Sequence, residues 1–123
     1  MKKLTSLLLL GILVLTFSTG CGKQIFDGSR TGNDKQFIID YTVLNKTETH
    51  EMKLNQGSKV EVVIDNKSGS LDIVVANADG KEIYRGDDAQ SGQFTLEIKE
   101  SGTYKFTVTG TKAKGRVSFK VRD

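Results

Sequence analysis

The sequence predicts an all-β protein: a single eight-stranded antiparallel β-sandwich, jelly-roll-like, after a signal peptide and a flexible tether. Three observations carry this reading. From residue 37 onward apolar residues recur with a period of two, and turn residues interrupt them about every ten positions. Outside the first twenty residues, no stretch keeps helical spacing over two turns. A one-sided alternation of this kind buries one face of each sheet and wets the other.

The strands follow in order. Phe37, Ile39, Tyr41 and Val43 alternate with Ile38, Asp40 and Thr42; Met52 and Leu54 alternate with Glu51 and Lys53. Val60, Val62 and Ile64 alternate with Glu61, Val63 and Asp65, then Leu71, Ile73 and Val75 with Asp72 and Val74. A short Glu82-Ile83-Tyr84 segment precedes Phe94-Leu96-Ile98, Tyr104-Phe106-Val108 and Val117-Phe119-Val121. Asn66–Ser70, Asn77–Gly80, Glu100–Gly102 and Gly110-Thr111 read as the turns between them, with Asp79-Gly80 a hairpin signal of type I′. Of the 87 residues in 37–123, 23 are Leu, Ile, Val or Phe, enough for one core.

The first twenty residues read differently. Met1-Lys2-Lys3 is a short cationic start, and Leu7 to Phe17 is an apolar run. As a helix that run reaches about 16 Å, half of a bilayer core, which suits a secretory signal rather than a membrane span. It ends in Phe17-Ser18-Thr19-Gly20-Cys21, with Ser18 at a position that more often carries Leu. This resembles the lipobox of bacterial lipoproteins. The resemblance implies cleavage before Cys21, a diacylglycerol and further palmitate-type acylation on it, and residence on the extracytoplasmic side of the cell membrane. Two acyl chains anchor a protein stably where one is marginal. The competing reading is an ordinary secretory signal that leaves Cys21 as a free thiol. Residues 21–36 are polar with three glycines, and only Ile25 and Phe26 could dip into the interface. They read as a lipidated tether before a domain spanning 37–123.

Charge and composition bound the chemistry. The whole chain of 123 residues has net charge +3, one Cys, one His and no Pro or Trp. A single Cys excludes an intrachain disulfide and a multi-Cys zinc site, and one His leaves little for metal or triad chemistry. Without Lys2 and Lys3 the net charge is +1, and it is unevenly spread. Residues 112–123 hold five cations against one carboxylate, while residues 21–111 carry net charge −3.

The stretch from Leu54 onward resembles the pre-peptidase C-terminal domain of secreted bacterial proteins. The residues that carry the likeness are Gln56–Val60, Ser68–Val75, Asp79-Gly80-Lys81, Ser101–Val108 and a last strand from Gly115. Similar patterns occur in GOLD-type and other jelly-roll sandwiches. These are accessory, binding or folding modules, and the resemblance implies the same non-catalytic role here.

The candidate surfaces follow. Lys112, Lys114, Arg116, Lys120 and Arg122 occupy even positions of the last strand together with Ser118, so alternation puts them on one solvated face, with successive even positions about 6.6 Å apart. Such a row attracts an anionic lipid, cell-wall polymer or glycan. It equally serves to keep an exposed sheet soluble, and Glu97 or Asp72 on neighbouring strands would neutralise it. Asn77, Asp79 and Glu82 space their oxygens like half of a calcium loop, which a hairpin turn explains without metal. Asp87-Asp88 reads as a solvated loop tip. His50 is in register with Met52 and Leu54, so it reads as a core-rim residue rather than a base.

The expected function is therefore a membrane-anchored display of a non-catalytic binding module, with no cofactor beyond the lipid on Cys21. Its partners would be membrane lipid and an anionic envelope polymer. The alternative is protein–protein contact with another envelope protein. Nucleic acid is not expected, because an exported chain rarely meets it and no aromatic residue shares the basic face.

Overall fold

The computed structural model describes residues 23–123. They form seven strands: β1 (Ile25–Gly32), β2 (Gln36–Asn45), β3 (Thr47–Leu54), β4 (Lys59–Asn77), β5 (Glu82–Gly86), β6 (Gly92–Glu97) and β7 (Gly102–Arg122). All pairings are antiparallel. The all-β sandwich expected from the period-two pattern is the fold.

All eight expected segments are present, but four of them merge into two strands. β4 contains both the Val60–Ile64 and Leu71–Val75 segments, and β7 contains both Tyr104–Val108 and Val117–Val121. The two strands pair with each other from Lys59↔Arg122 to Asn77↔Tyr104. The expected turns at Asn66–Ser70 and Gly110-Thr111 are instead a corner at which both strands pass from one sheet to the other. Their backbone groups keep pairing across it (Ser68↔Lys114, Ser70↔Thr111), with register shifts on either side of Ser68. Bulges are how a strand switches layers without losing its ladder.

Two layers result. Sheet I has the order β1, β2, the second half of β7, the first half of β4, and β6. Sheet II has β3, the first half of β7, the second half of β4, and β5. The inner faces carry the alternating residues: Phe37, Ile39, Val60, Val62, Ile64, Val117 and Phe119 from sheet I, and Met52, Leu54, Leu71, Ile73, Val75, Phe106 and Val108 from sheet II, all buried. Phe119 stacks on Phe37 within sheet I at 5.9 Å and meets Phe106 of sheet II edge-on at 5.0 Å. That contact ties the layers at their centre.

The tether is where the structure departs from the sequence reading. Residues 25–32, expected as flexible, form β1 and pair with β2 from Ile25↔Asn45 to Gly32↔Phe37. β1 is an edge strand held by its ladder. Only Phe26 packs on the core, so the strand shows no alternation to read. Phe26 is therefore not available to a membrane interface. Arg30 of β1 reaches the facing sheet, donating to Glu48 Oε1 (3.1 Å) and the Thr49 carbonyl (2.6 Å) of β3, with its guanidinium 4.8 Å from the Phe37 ring centre. It closes one open side of the sandwich. Tyr84 against Phe94, with ring centres 4.8 Å apart, closes the other.

The corner depends on glycine. Gly69 has φ +71°, and a Cβ there would lie 2.2 Å from the Lys112 carbonyl oxygen. Gly115 has φ +147°, and its Cβ would lie 2.0 Å from the Asp65 carbonyl oxygen. Gly69→Ala should lower unfolding stability by about 2 kcal/mol or more, from left-handed strain plus the clash. Phe119→Ala should cost about 3–5 kcal/mol. Urea unfolding measures both, and a Gly69→Ala protein of unchanged midpoint would contradict the corner geometry.

Candidate functional site

The basic row on β7 is interrupted. Lys112 sits on the corner with φ +48°, and the bulge at Gly115 breaks the register beyond it. Ser118, in the middle of the row, is buried. Arg116, Lys120 and Arg122 lie on the outer face of sheet I, while Lys112 and Lys114 belong to the corner end.

Acidic residues interleave with the outer-face cations. Arg116 lies between Asp40 on β2 and Asp65 on β4, with Nη1 3.5 Å from Asp40 Oδ2. Arg122 Nε lies 3.6 Å from Glu61 Oε2, and Lys120 is flanked by Gln36 and Glu61. Neutralisation therefore occurs, but by Asp40, Asp65 and Glu61. Glu97 is paired in register with Lys59, and Asp72 lies on sheet II, where its Oδ1 accepts the Asp88 N–H at 2.8 Å.

Between these charged rows runs a neutral one. Ile38, Ser118, Val63 and Gln93 are consecutive neighbours across β2, β7, β4 and β6, and Ile38 and Val63 are half-buried. Sequence reasoning passed over this row because it followed the inward positions. Ile38 and Val63 were the available signal: apolar residues at positions whose strand neighbours of the same parity are polar or charged.

The other polar residues singled out have structural partners. Asn77 Oδ1 accepts the N–H groups of Asp79 (3.0 Å) and Lys81 (2.9 Å), and Gly80 N–H donates to the Asn77 carbonyl. Only Gly80 in this turn has positive φ, so it is not the type I′ turn expected. Glu82 pairs with Arg85, whose hydrogen bonds hold the Glu82 carboxyl below its usual range. Among the described residues no group of three His, Cys, Asp or Glu side chains is placed to hold a metal ion. His50 Nε2 lies 2.8 Å from the Asn33 carbonyl, and its ring packs 5.2 Å from Phe37, at the rim as expected. Asp123 accepts from Lys35 Nζ (2.7 Å) and Ser58 Oγ (2.9 Å), contacts that lower its carboxyl pKa and fasten the end of the chain.

Residues 1–20, expected to be a signal peptide, and Cys21, expected to carry the lipid, lie outside the described residues. Among those described, no helix is long and apolar enough to cross a membrane.

Two buried side-chain atoms, the Tyr41 hydroxyl and Asn66 Oδ1, have no protein partner among the described residues. The Tyr41 hydroxyl is enclosed near the corner, and desolvation, followed by the charges of Asp65 and Asp40, pushes its pKa up to about 12. The raised value favours the neutral phenol in the fold. Its contribution to stability is thus complete below about pH 10 and lost as the pH rises through about 12. Tyr41→Phe should remove that alkaline loss and leave stability at pH 7 within about 1 kcal/mol. Thermal melts at pH 7 and pH 11 test both statements.

The fold has known counterparts. The pre-peptidase C-terminal domain of collagenase from Bacillus anthracis superposes with TM-score 0.50 at 12% identity, covering 82% of this chain and 100% of that one. PliG of Aeromonas hydrophila, a periplasmic inhibitor of g-type lysozyme, superposes with TM-score 0.49 at 15% identity, over 79% of this chain and 88% of that one. The first shows the shared β-sandwich that the sequence resemblance implied. No curated protein matches the sequence. The family profile described as emp24/gp25L/p24 family/GOLD matches residues 15–123.

Proposed function

The chain belongs to the emp24/gp25L/p24 family/GOLD, and from that premise we propose that it is a lipid-anchored, extracytoplasmic, non-catalytic module that binds another envelope protein through the outer face of sheet I. The observation that carries the choice of surface is the arrangement of that face. A neutral row of Ile38, Ser118, Val63 and Gln93 is bordered by rows in which cations and carboxylates alternate. An apolar centre with a polar rim of both signs is the anatomy of a protein-binding patch. A track for an anionic polymer needs cations without acids among them, and Asp40, Asp65 and Glu61 stand among these.

The non-catalytic reading is supported by how the chemically capable side chains are used. His50, Asn77 and Asp72 each hold a loop or a turn in place, and Glu82 is paired with Arg85 of its own strand. The anchor rests on the lipobox resemblance of Phe17–Cys21 and on the apolar run before it.

Two experiments test the proposal. Full-length protein in intact cells should incorporate a fatty-acid label and fractionate with membranes, whereas Cys21→Ser should do neither. A photo-crosslinking residue at Val63 should yield one discrete adduct with another protein, lost when Ile38→Glu is added. The same residue at Lys53 on sheet II should yield none. If Val63 gives no adduct, while a Lys114→Glu/Arg116→Glu variant loses a salt-sensitive hold on cell-wall material, the polymer is the partner instead.

A further inference from the structure

Three independent features converge at the corner end of the sandwich. The first is the path of the chain. Asn45 Nδ2 donates to the Lys23 carbonyl (2.9 Å), and Asn45 Oδ1 accepts the Lys112 N–H (3.0 Å). One side chain thus ties the start of the domain to the β7 corner. Only Gly22 stands between Lys23 and Cys21, so the two residue steps between them reach at most about 7 Å. A lipid on Cys21 leaves no spacer, and the corner end must lie against the surface that holds the lipid.

The second feature is charge. Lys23, Lys112 and Lys114 are exposed at this end, and none has a carboxylate within ion-pair distance among the described residues. Nearby Lys67 is paired with Asp65 and Lys46 with Glu48. Asp27 is the carboxylate on the same stretch of β1, and it accepts from Thr42 Oγ1. The third feature is apolar exposure. Of the three exposed large hydrophobic residues in the described chain, Ile25 and Val43 are both here, and Ile83 is not. The pairings Ile25↔Asn45 and Asp27↔Val43 put both on the outer face of β1 and β2, opposite to Phe26 and Leu44, which point into the core.

We propose that this end is a membrane-docking surface: Ile25 and Val43 enter the headgroup region of an anionic bilayer while Lys23, Lys112 and Lys114 contact its acidic headgroups. The inference rests on the lipidation of Cys21 and adds to it a fixed orientation. The bulge and corner that break the basic row of β7 thereby divide its work. Lys112 and Lys114 face the lipid, and the end of β7 with Arg122 is directed away from it. Apolar insertion combined with basic residues is the general chemistry of interfacial binding, and each lysine near an anionic surface strengthens it about five-fold.

The chain has no Trp, which makes single-tryptophan reporters clean. Full-length lipidated protein carrying Ile25→Trp, Val43→Trp or Ile83→Trp is reconstituted into phosphatidylcholine vesicles with or without phosphatidylglycerol, and quenching by brominated lipid is measured. The Ile25→Trp and Val43→Trp proteins should be quenched in the anionic vesicles, and the Ile83→Trp protein should not. Adding Lys23→Glu, Lys112→Glu and Lys114→Glu should lower the docked-to-undocked ratio by on the order of a hundredfold, with the protein still floating with the vesicles. Vesicle-bound Ile25→Trp and Val43→Trp proteins whose emission stays unquenched overturn the docking surface while leaving the anchor intact. Protein that fails to float with either vesicle overturns the anchor and this inference with it. Equal quenching with and without phosphatidylglycerol overturns the role given to the lysines.

Discussion

The antiparallel ladder between β4 and β7 is the constraint on which the rest of the molecule depends. These two strands pair along nearly their whole lengths and pass together through both layers. Every other strand hangs from one of them or, for β1, from β2. The layers therefore do not rely on side-chain packing alone to find one another, since the same hydrogen-bonded ribbon is central to each. Phe106 and Phe119 lie on the same strand on opposite sides of the corner, and their edge-on contact closes the fold upon itself.

The corner that makes this possible also organises the surface. Gly69 and Gly115 let the backbones of β4 and β7 approach within a distance that no side chain permits. The resulting break separates the last strand into a corner segment, whose lysines make no ion pair among the described residues, and an outer-face segment whose arginines are matched by acids. A basic run that is uniform in one dimension thus becomes two surfaces of different character. The neutral row through Ser118 belongs wholly to one of them, and the exposed Ile25 and Val43 belong to the other.

Much of the fold was legible because burial writes itself into alternation. Phe37, Ile39, Val60, Val62, Leu71, Ile73, Phe106 and Val117 all point inward as their spacing requires. What was not legible has specific physical causes. β1 is stabilised by backbone pairing at an edge, which leaves no periodic signature, and Asn-Lys-Ser-Gly-Ser reads as a turn whether the chain reverses there or merely bulges. Charge neutralisation was foreseen in kind but not in its partners. Asp40, Asp65 and Glu61 become neighbours of β7 through strand order, and strand order is not encoded in local pattern. The Asn45 bridge between Lys23 and Lys112 is likewise a product of topology, joining residues that nothing in the sequence marks as close.

The position of β7 at the centre of both sheets also has a consequence in time. It follows the other six strands along the chain, and residues 23–101 without it would leave β2, β3 and β4 with open edges and Phe37 without Phe119 to stack on. Pairing of high sequence separation, such as Gln36 with Lys120, is slow to form and gains nothing until both ends are present. A chain emerging N-terminus first therefore lacks the strand shared by both layers until β7 arrives, which suits the export proposed for it, where the chain crosses a membrane before it folds.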